Sequence, residues 1–147
     1  MGPGFRRDDG RSSFLDSNMR EASIAIAMRN RAAAERRGRS AERLAEWALR
    51  LKGYRLLARR FKTPLGEVDL IMRRGEVTAF IEVKARRLGD DALEAVTPRN
   101  AWRISAAADL WMRRDARAAR GVCRFDIVTV APYQWPRHIE NAFEARE

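Results

Sequence analysis

The sequence predicts an α/β domain in which helices flank a mixed central sheet. Two apolar runs of strand type, residues 66–73 and 76–84, are joined by Arg74-Gly75, a pair suited to a tight turn. A segment of helical type and a further apolar strand, residues 122–130, follow. A tight turn joins antiparallel strands, whereas a strand, a crossover helix and another strand normally form a right-handed parallel pair. The sheet is therefore expected to contain both kinds of pairing.

Residues 1–38 are interpreted as a basic extension and residues 39–147 as a single domain. Residues 1 to about 18 contain few apolar side chains, which is typical of a disordered tail. Residues 19 to about 38 carry apolar side chains at helical spacing with arginines between them. This pattern fits a basic helix, an arm that folds on a partner, or an extension without a role, and composition does not choose among them.

The domain is expected to begin with a helix capped by Ser40. Glu42 suits the first turn of this helix, and Gly53 is a stop signal. Its expected core-facing stripe consists of Leu44, Trp47, Ala48 and Leu51. A first strand, residues 54–61, is predicted to follow.

A second helix is predicted to open at Thr97-Pro98, because threonine caps helix N-termini and proline fits the first helical position. Its core-facing stripe is expected to contain Trp102, Ser105, Ala108 and Trp111 or Met112. We expect this helix to fray before Gly121 and Ile139–Phe143 to form a short last element. Asp126, on an apolar strand, is interpreted as a structural partner for an arginine or a backbone group.

The formal net charge of +10 points to polyanionic partners, nucleic acid first. Genome base composition explains an Arg- and Ala-rich chain equally well. Cys123 is the only cysteine, which excludes an intrachain disulfide and a thiolate-rich zinc site and predicts a cytoplasmic protein. No apolar run reaches the ~18 residues of a membrane span, and none follows Arg6 and Arg7 as in a signal peptide. No membrane partner is expected.

Three charged side chains interrupt the second and third predicted strands. Asp69, Glu82 and Lys84 are costly to bury there unless they bind something. Side chains alternate along a strand, so Glu82 and Lys84 share a face. A two-residue turn at Arg74-Gly75 would make Asp69 a diagonal neighbour of Glu82, and a four-residue turn would put the two acids directly opposite each other. A three-residue turn without a bulge would separate them onto two faces.

Two neighbouring carboxylates repel each other unless a cation intervenes, which suits Mg²⁺ or Mn²⁺. Such an ion can polarise a phosphodiester and lower the pKa of a bound water. Lys84 could orient the attacking water or stabilise the transition state, and Glu42 could reach the same ion from the first helix. The competing interpretation of Glu82 and Lys84 is a salt bridge on a solvated face.

At these residues the chain resembles the YraN family, bacterial proteins with a restriction-endonuclease-like fold of the PD-(D/E)XK type. The similarity covers about residues 37–144 and runs through Gly38–Glu42, Gly53-Tyr54, Gly66–Ile71, Phe80–Lys84, Arg124–Asp126 and His138–Phe143. The wider fold is similar to archaeal Holliday-junction resolvases, which carry a Glu, an Asp and a Glu-x-Lys in this order.

The resemblance implies a metal-dependent nuclease that acts on branched or single-stranded DNA. Asp69 and Glu82 would be metal ligands with the Val83 carbonyl as a third, Lys84 the catalytic lysine and Glu42 an acidic helper. Junction resolvases act as dimers, so the resemblance leaves a homodimer open. The alternative is a catalytically inactive nucleic-acid-binding or protein-interaction module that keeps the fold.

Basic residues near these positions are candidate nucleic-acid contacts: Arg39, Arg86, Arg87, Arg99 and Arg103. Two positions depart from the family pattern, since Arg60 stands where many relatives have Asn and Asn100 where many have a basic residue. Among the tryptophans, Trp135 in a Pro-flanked loop is the better candidate for stacking on a base.

Overall fold

The computed structural model describes residues 10–87 and 96–146, with side chains from residue 16 onward. Its elements in chain order are α1 (Gly10–Leu51), β1 (Arg55–Lys62), β2 (Glu67–Arg74), β3 (Val77–Ala85), α2 (Pro98–Arg114), α3 (Ala116–Arg120), β4 (Val122–Val130) and β5 (Arg137–Ile139). The chain divides into two compact units, Met1–Arg36 and Arg37–Glu147. Within the described residues, no helix combines the length and the apolar character needed to cross a membrane.

The second unit contains a five-stranded sheet in the order β1-β2-β3-β4-β5. Strands β1, β2 and β3 form an antiparallel meander, β4 runs parallel to β3, and β5 is antiparallel to β4. The predicted mixed sheet is therefore confirmed, with β4 at the predicted residues. The first three strands each begin one residue later than predicted, and the last element is β5 rather than Ile139–Phe143.

Helices cover both faces of the sheet, as the sequence predicts. Leu70 and Ile81 belong to a core cluster that includes residues of α1. Ile71 and Phe80 belong to a second cluster with residues of α2. Because neighbouring residues on a strand point to opposite faces, these two clusters lie on opposite sides of the sheet.

The inner face of α1 is lined mainly by small residues, which corrects the predicted stripe. The buried apolar residues are Ala41, Ala45, Ala48 and Leu49. The large residues of the predicted stripe are more than half exposed, namely Leu44, Trp47 and Leu51. Alanine allows a helix backbone to approach a sheet closely, so packing fit rather than side-chain hydrophobicity set the rotation of this helix.

Helix α1 runs without interruption from Gly10 to Leu51, so the predicted start at Ser40 is wrong. Residues 10–18, expected to be disordered, belong to this helix, and residues 1–9 lie outside the described part of the chain. The predicted stop is confirmed. Gly53 has a φ of 93°, and the Tyr54 N–H donates to the Leu49 carbonyl at 3.1 Å. This Schellman arrangement favours glycine because it requires a positive φ.

The start of α2 is confirmed. Thr97 Oγ1 accepts a hydrogen bond from the Asn100 N–H, and Pro98 occupies the first turn. The predicted core stripe is only partly correct. Trp102 is 42% exposed, whereas Trp111 is partly buried against the core.

The segment before Gly121 does not fray as predicted. Asp115 ends α2 and caps the short helix α3 by accepting hydrogen bonds from the backbone N–H groups of Arg117 and Ala118. Its other carboxylate oxygen accepts from Arg73 at 2.7 Å, which fastens this corner to β2. The signal was an Asp directly before an Ala-rich run, a common N-cap pattern.

Asp126 is a fully buried acceptor that joins two segments of the family pattern. It accepts two hydrogen bonds from Arg124, both 2.8 Å, and one from the Asn141 N–H at 3.0 Å. His138 Nε2 lies 2.7 Å from its Oδ2. Burial alone would raise the pKa of Asp126, but the contacts with His138, Arg124 and Asn141 together lower it. The predicted structural role of Asp126 is confirmed.

Replacing this acceptor is expected to cost much of the stability of the fold. Asp126→Ala leaves the Arg124 guanidinium and the Asn141 N–H without their buried acceptor, so the free energy of unfolding should fall by about 3–5 kcal/mol. Urea unfolding followed by circular dichroism measures this change. The matched control is Asp109→Ala, which removes an exposed pair with Arg113 and should cost about 0.5 kcal/mol or less. Equal losses in the two variants would contradict this account.

Candidate active site

The turn between β2 and β3 consists of Gly75 and Glu76. Arg74 pairs with Val77 across it. The predicted turn at Arg74-Gly75 is therefore wrong by one residue, although its length of two residues is correct. Gly75 has a φ of 58°, a conformation that glycine adopts without steric cost, and it is the first of the two turn residues rather than the second.

This shift brings the two predicted acids face to face. The ladder pairs Leu70 with Ile81, and one step further along the same register Asp69 lies opposite Glu82. The side chains of Asp69 and Glu82 are in hydrogen-bond contact. Asp69 Oδ2 also accepts a hydrogen bond from the Val83 N–H at 2.8 Å. The direct opposition expected only of a four-residue turn is thus produced by a two-residue turn displaced by one position.

Lys84 completes the cluster on β3. Its Nζ lies 3.0 Å from Glu82 Oε1, and the two side chains are only 28% and 16% exposed. Residues two apart on a strand share a face, which explains the contact. The salt bridge of the competing interpretation is therefore present, but both side chains are partly buried rather than on a solvated face.

The pKa of Asp69 is raised to about 7. Burial is the largest cause, the negative charge of Glu82 is the next, and Glu42 adds a smaller effect in the same direction. The hydrogen bond from Val83 acts against them. Without a cation, Asp69 therefore keeps its proton up to near-neutral pH. A cation that replaced this proton would relieve the repulsion.

Glu42, the predicted acidic helper, lies near the cluster but is bound by an arginine. Arg60 Nε is 2.8 Å from Glu42 Oε2, and Nη2 is 3.3 Å from Oε1. Arg60 has a φ of 47°, which is unusual for arginine and more readily adopted by asparagine. The sequence marked Arg60 as a departure from the family pattern, and the structure shows that this residue holds Glu42.

The donor set fits a hard divalent cation that is bound together with a substrate. Asp69 and Glu82 supply carboxylate oxygens, and the Val83 carbonyl belongs to the same part of β3. Mg²⁺ commonly binds one or two carboxylates, several waters and a substrate phosphate. In the part of the chain that the structure describes, no group of three or more His, Cys, Asp and Glu side chains could hold a metal ion. The cluster therefore suits an open site rather than an enclosed structural one.

The predicted basic contacts fall on several sides of this cluster. Arg39 lines a cavity between α1 and β1. Arg86 and Arg87 follow β3 directly after the Lys84 segment, and the Arg86 N–H donates to the Val130 carbonyl at the end of β4. Trp135 is 69% exposed in the loop that leaves this same end of β4.

Arg99 and Arg103 are exposed on the first turns of α2. The approach of this helix to β2 is set by Gly66, because a Cβ there would lie 1.9 Å from the Arg103 carbonyl oxygen. Gly66 precedes Asp69 by three residues. The N-terminal half of α2 is therefore held close to the strand end that carries the acid.

The cavity between α1 and β1 has a volume of about 500 Å³ and shares Glu42 with the cluster. Its arginines are Arg39, Arg43, Arg59 and Arg60. Trp47 also lines it, although the sequence placed this residue in the core. The signal that could have found Trp47 is the spacing of Ala41, Ala45 and Ala48, an alternative helical stripe that leaves Trp47 outside.

Comparison with known proteins assigns the chain to a family. The family model "Uncharacterised protein family UPF0102" matches residues 41–130, which contain Glu42, Asp69, Glu82 and Lys84. The chain belongs to this family. UPF0102 is the YraN family, so the resemblance drawn from the sequence motifs is confirmed.

Relatives match the chain over nearly their whole length. A UPF0102 protein of Chelativorans sp. (strain BNC1) is 54% identical over 122 residues, which cover 83% of this chain and 98% of the relative. One from Mesorhizobium japonicum is 53% identical over 117 residues, 80% of this chain and 94% of the relative. One from Methylorubrum extorquens (strain PA1) is 54% identical over 114 residues, 78% and 89% of the two chains.

Asp69→Asn is expected to stabilise this UPF0102 protein at about pH 8 and to have little effect near about pH 4. The folded-state pKa of about 7 lies above the unfolded value of about 3.9, so stability falls as the pH rises through this window. Above it, ionised Asp69 costs roughly 2–4 kcal/mol, which asparagine would remove. Urea unfolding at a series of pH values measures the difference.

Glu67→Gln is the control for this experiment, because Glu67 is an exposed acid two residues away on the same strand. Its effect should stay within about 0.5 kcal/mol at every pH. If Asp69→Asn kept the pH dependence of the unchanged protein, the raised pKa of Asp69 would be disproved.

Proposed function

We propose that this UPF0102 protein is a cytoplasmic Mg²⁺- or Mn²⁺-dependent nuclease that hydrolyses phosphodiester bonds in branched or single-stranded DNA. The observation that carries the proposal is the contact between the Asp69 and Glu82 carboxylates beside Lys84. The order of one helix, three strands, two helices and a fourth strand is consistent with the restriction-endonuclease-like core that the family resemblance implies.

Asp69, Glu82 and the Val83 carbonyl would hold the cation, which when bound polarises the phosphodiester and lowers the pKa of a water. Lys84 is fixed against Glu82, where its ammonium can stabilise negative charge that develops on the phosphate oxygens. Asp69 must first release its proton. Activity should therefore rise with pH through about 7, the pKa of this carboxyl.

The basic residues around the cluster would position the nucleic acid. Arg86 and Arg87 continue from β3, and Arg99 and Arg103 lie on α2 near the start of β2. Such side chains bind phosphate oxygens and orient the backbone without reading its sequence. Arg39 would serve the same purpose from α1.

A nucleic-acid-binding module without hydrolysis is the second candidate. One observation in its favour is that Arg60 binds Glu42, the predicted acidic helper. Another is that, among the described residues, Asp69 and Glu82 have no third side chain beside them that could bind a metal ion. This candidate predicts salt-sensitive binding that no divalent cation converts into cleavage.

Purified protein should cleave at least one of a set of end-labelled junctions, flaps and single strands when Mn²⁺ is present, and EDTA should stop it. Glu82→Gln and Lys84→Met should each lower the cleavage rate by about 10²-fold or more, because the first removes a ligand of the cation and the second removes the positive charge beside the reacting phosphate. Denaturing gels of a time course provide the rates.

Glu76→Gln is the matched control, since Glu76 is an exposed acid in the turn at the opposite end of β3. It should retain full activity. Cleavage that persists in Glu82→Gln would identify a contaminating nuclease. Binding without cleavage of any substrate would leave the second candidate.

A further inference from the structure

Trp47 is exposed on α1 in an environment rich in arginine. Its side chain is 62% exposed, although large aromatic residues on helices of small domains are usually well buried. It lines the cavity that contains Glu42 and also a second one, of about 510 Å³, that contains Arg50 and Arg55. The indole therefore stands between two depressions along the junction of α1 with β1.

A neighbouring side chain of α1 also contacts the indole ring of Trp47. The Arg50 guanidinium lies 5.8 Å from the indole centroid, within the range of a cation–π contact. Arg50 in turn pairs with Glu46, which is buried and also holds Arg59 at 2.6 Å. These contacts fix the side chains around the indole, while most of the indole surface stays exposed.

The charge of the first cavity favours an anion. Four arginines and two glutamates line it, which gives a net charge of +2. Glu46 is buried, whereas the side chain of its partner Arg59 is 60% exposed. Cation and aromatic surface thus lie together, the combination with which proteins bind unpaired nucleotides.

Glu42 links the cavity to the candidate active site, because it lines the cavity and raises the pKa of Asp69. Arg60 lines the cavity as well and interacts electrostatically with Asp69. Glu42 and Trp47 are five residues apart on α1, about 7.5 Å along its axis. A base on Trp47 would thus lie about 7.5 Å along the helix from the acid that influences Asp69.

We propose that Trp47 is a stacking platform for an unpaired base of a nucleic-acid strand that lies along the α1–β1 cavity. This inference rests on the proposed function and specifies its substrate class. A duplex keeps its bases stacked inside, so Trp47 can engage only a single strand or the unpaired part of a branch. Arg43 and Arg59 contact the phosphates that flank the stacked base.

Three variants distinguish stacking on a base from a role that any apolar side chain could fill. Trp47→Leu keeps an apolar side chain of helical preference but removes the ring. Trp47→Phe keeps an aromatic ring. Leu44→Ala alters another exposed apolar residue of α1 that lines neither cavity and serves as the matched control.

Fluorescence polarisation with a labelled single-stranded oligothymidine of about 16 nucleotides, in EDTA so that no cleavage occurs, measures the affinities. Trp47→Leu should weaken binding roughly 5- to 150-fold, the loss of one base–aromatic stack. Trp47→Phe should retain most of the affinity and Leu44→Ala all of it. Binding of a blunt duplex of the same length should be the same in every variant.

Single-strand affinity that is unchanged in Trp47→Leu overturns the proposal. A loss of affinity in Trp47→Leu that is equal for single strand and duplex also overturns it. The same holds if light scattering shows that the unchanged protein is a dimer and that Trp47→Leu dissociates it without changing single-strand affinity. If the unchanged protein cleaves DNA but Trp47→Leu binds normally, only this inference fails. If the unchanged protein neither binds nor cleaves nucleic acid, the proposed function fails with it.

Discussion

The contact between the Asp69 and Glu82 carboxylates is the constraint on which the rest of the site depends. Two acids that face each other across adjacent strands cost free energy, and the raised pKa of Asp69 reflects that cost. Apolar residues at these two positions would pack without this free-energy cost. The Val83 N–H and the Lys84 ammonium offset part of the repulsion, and a proton on Asp69 offsets more. A divalent cation would remove the remaining repulsion, which is why the pair suggests a catalytic role rather than a structural one.

The fold positions this pair by constraining the strands on either side. The turn at Gly75-Glu76 fixes the register of β2 against β3, and β4 holds β3 from the other edge. Asp126 on β4 gathers Arg124, His138 and the Asn141 N–H into one buried cluster. The C-terminal segment is thereby tied to the sheet beside the site. The small-residue face of α1 brings Glu42 close enough to influence Asp69.

The sheet topology was predictable because Gly75 and the crossover segment between β3 and β4 leave few alternatives. The pairing of Asp69 with Glu82 was predictable only as one of several registers, since a one-residue shift of a turn leaves the same apolar pattern. The rotation of α1 was not predictable from hydrophobicity, because Leu44 and Trp47 outweigh alanine on any such scale. Close packing against the sheet decided it, and this exposed Trp47. The role of Arg60 depended on its contact with Glu42, which no local pattern encodes.

Calorimetric titration with Mn²⁺ at about pH 6 and about pH 8 tests most directly whether the acid pair is a cation site. Asp69 must lose its proton to become a ligand, so below its pKa of about 7 the affinity should rise by up to roughly tenfold per pH unit, with release of about one proton. Glu82→Gln should abolish the binding heat. Binding that does not depend on pH, or that persists in Glu82→Gln, would contradict the account.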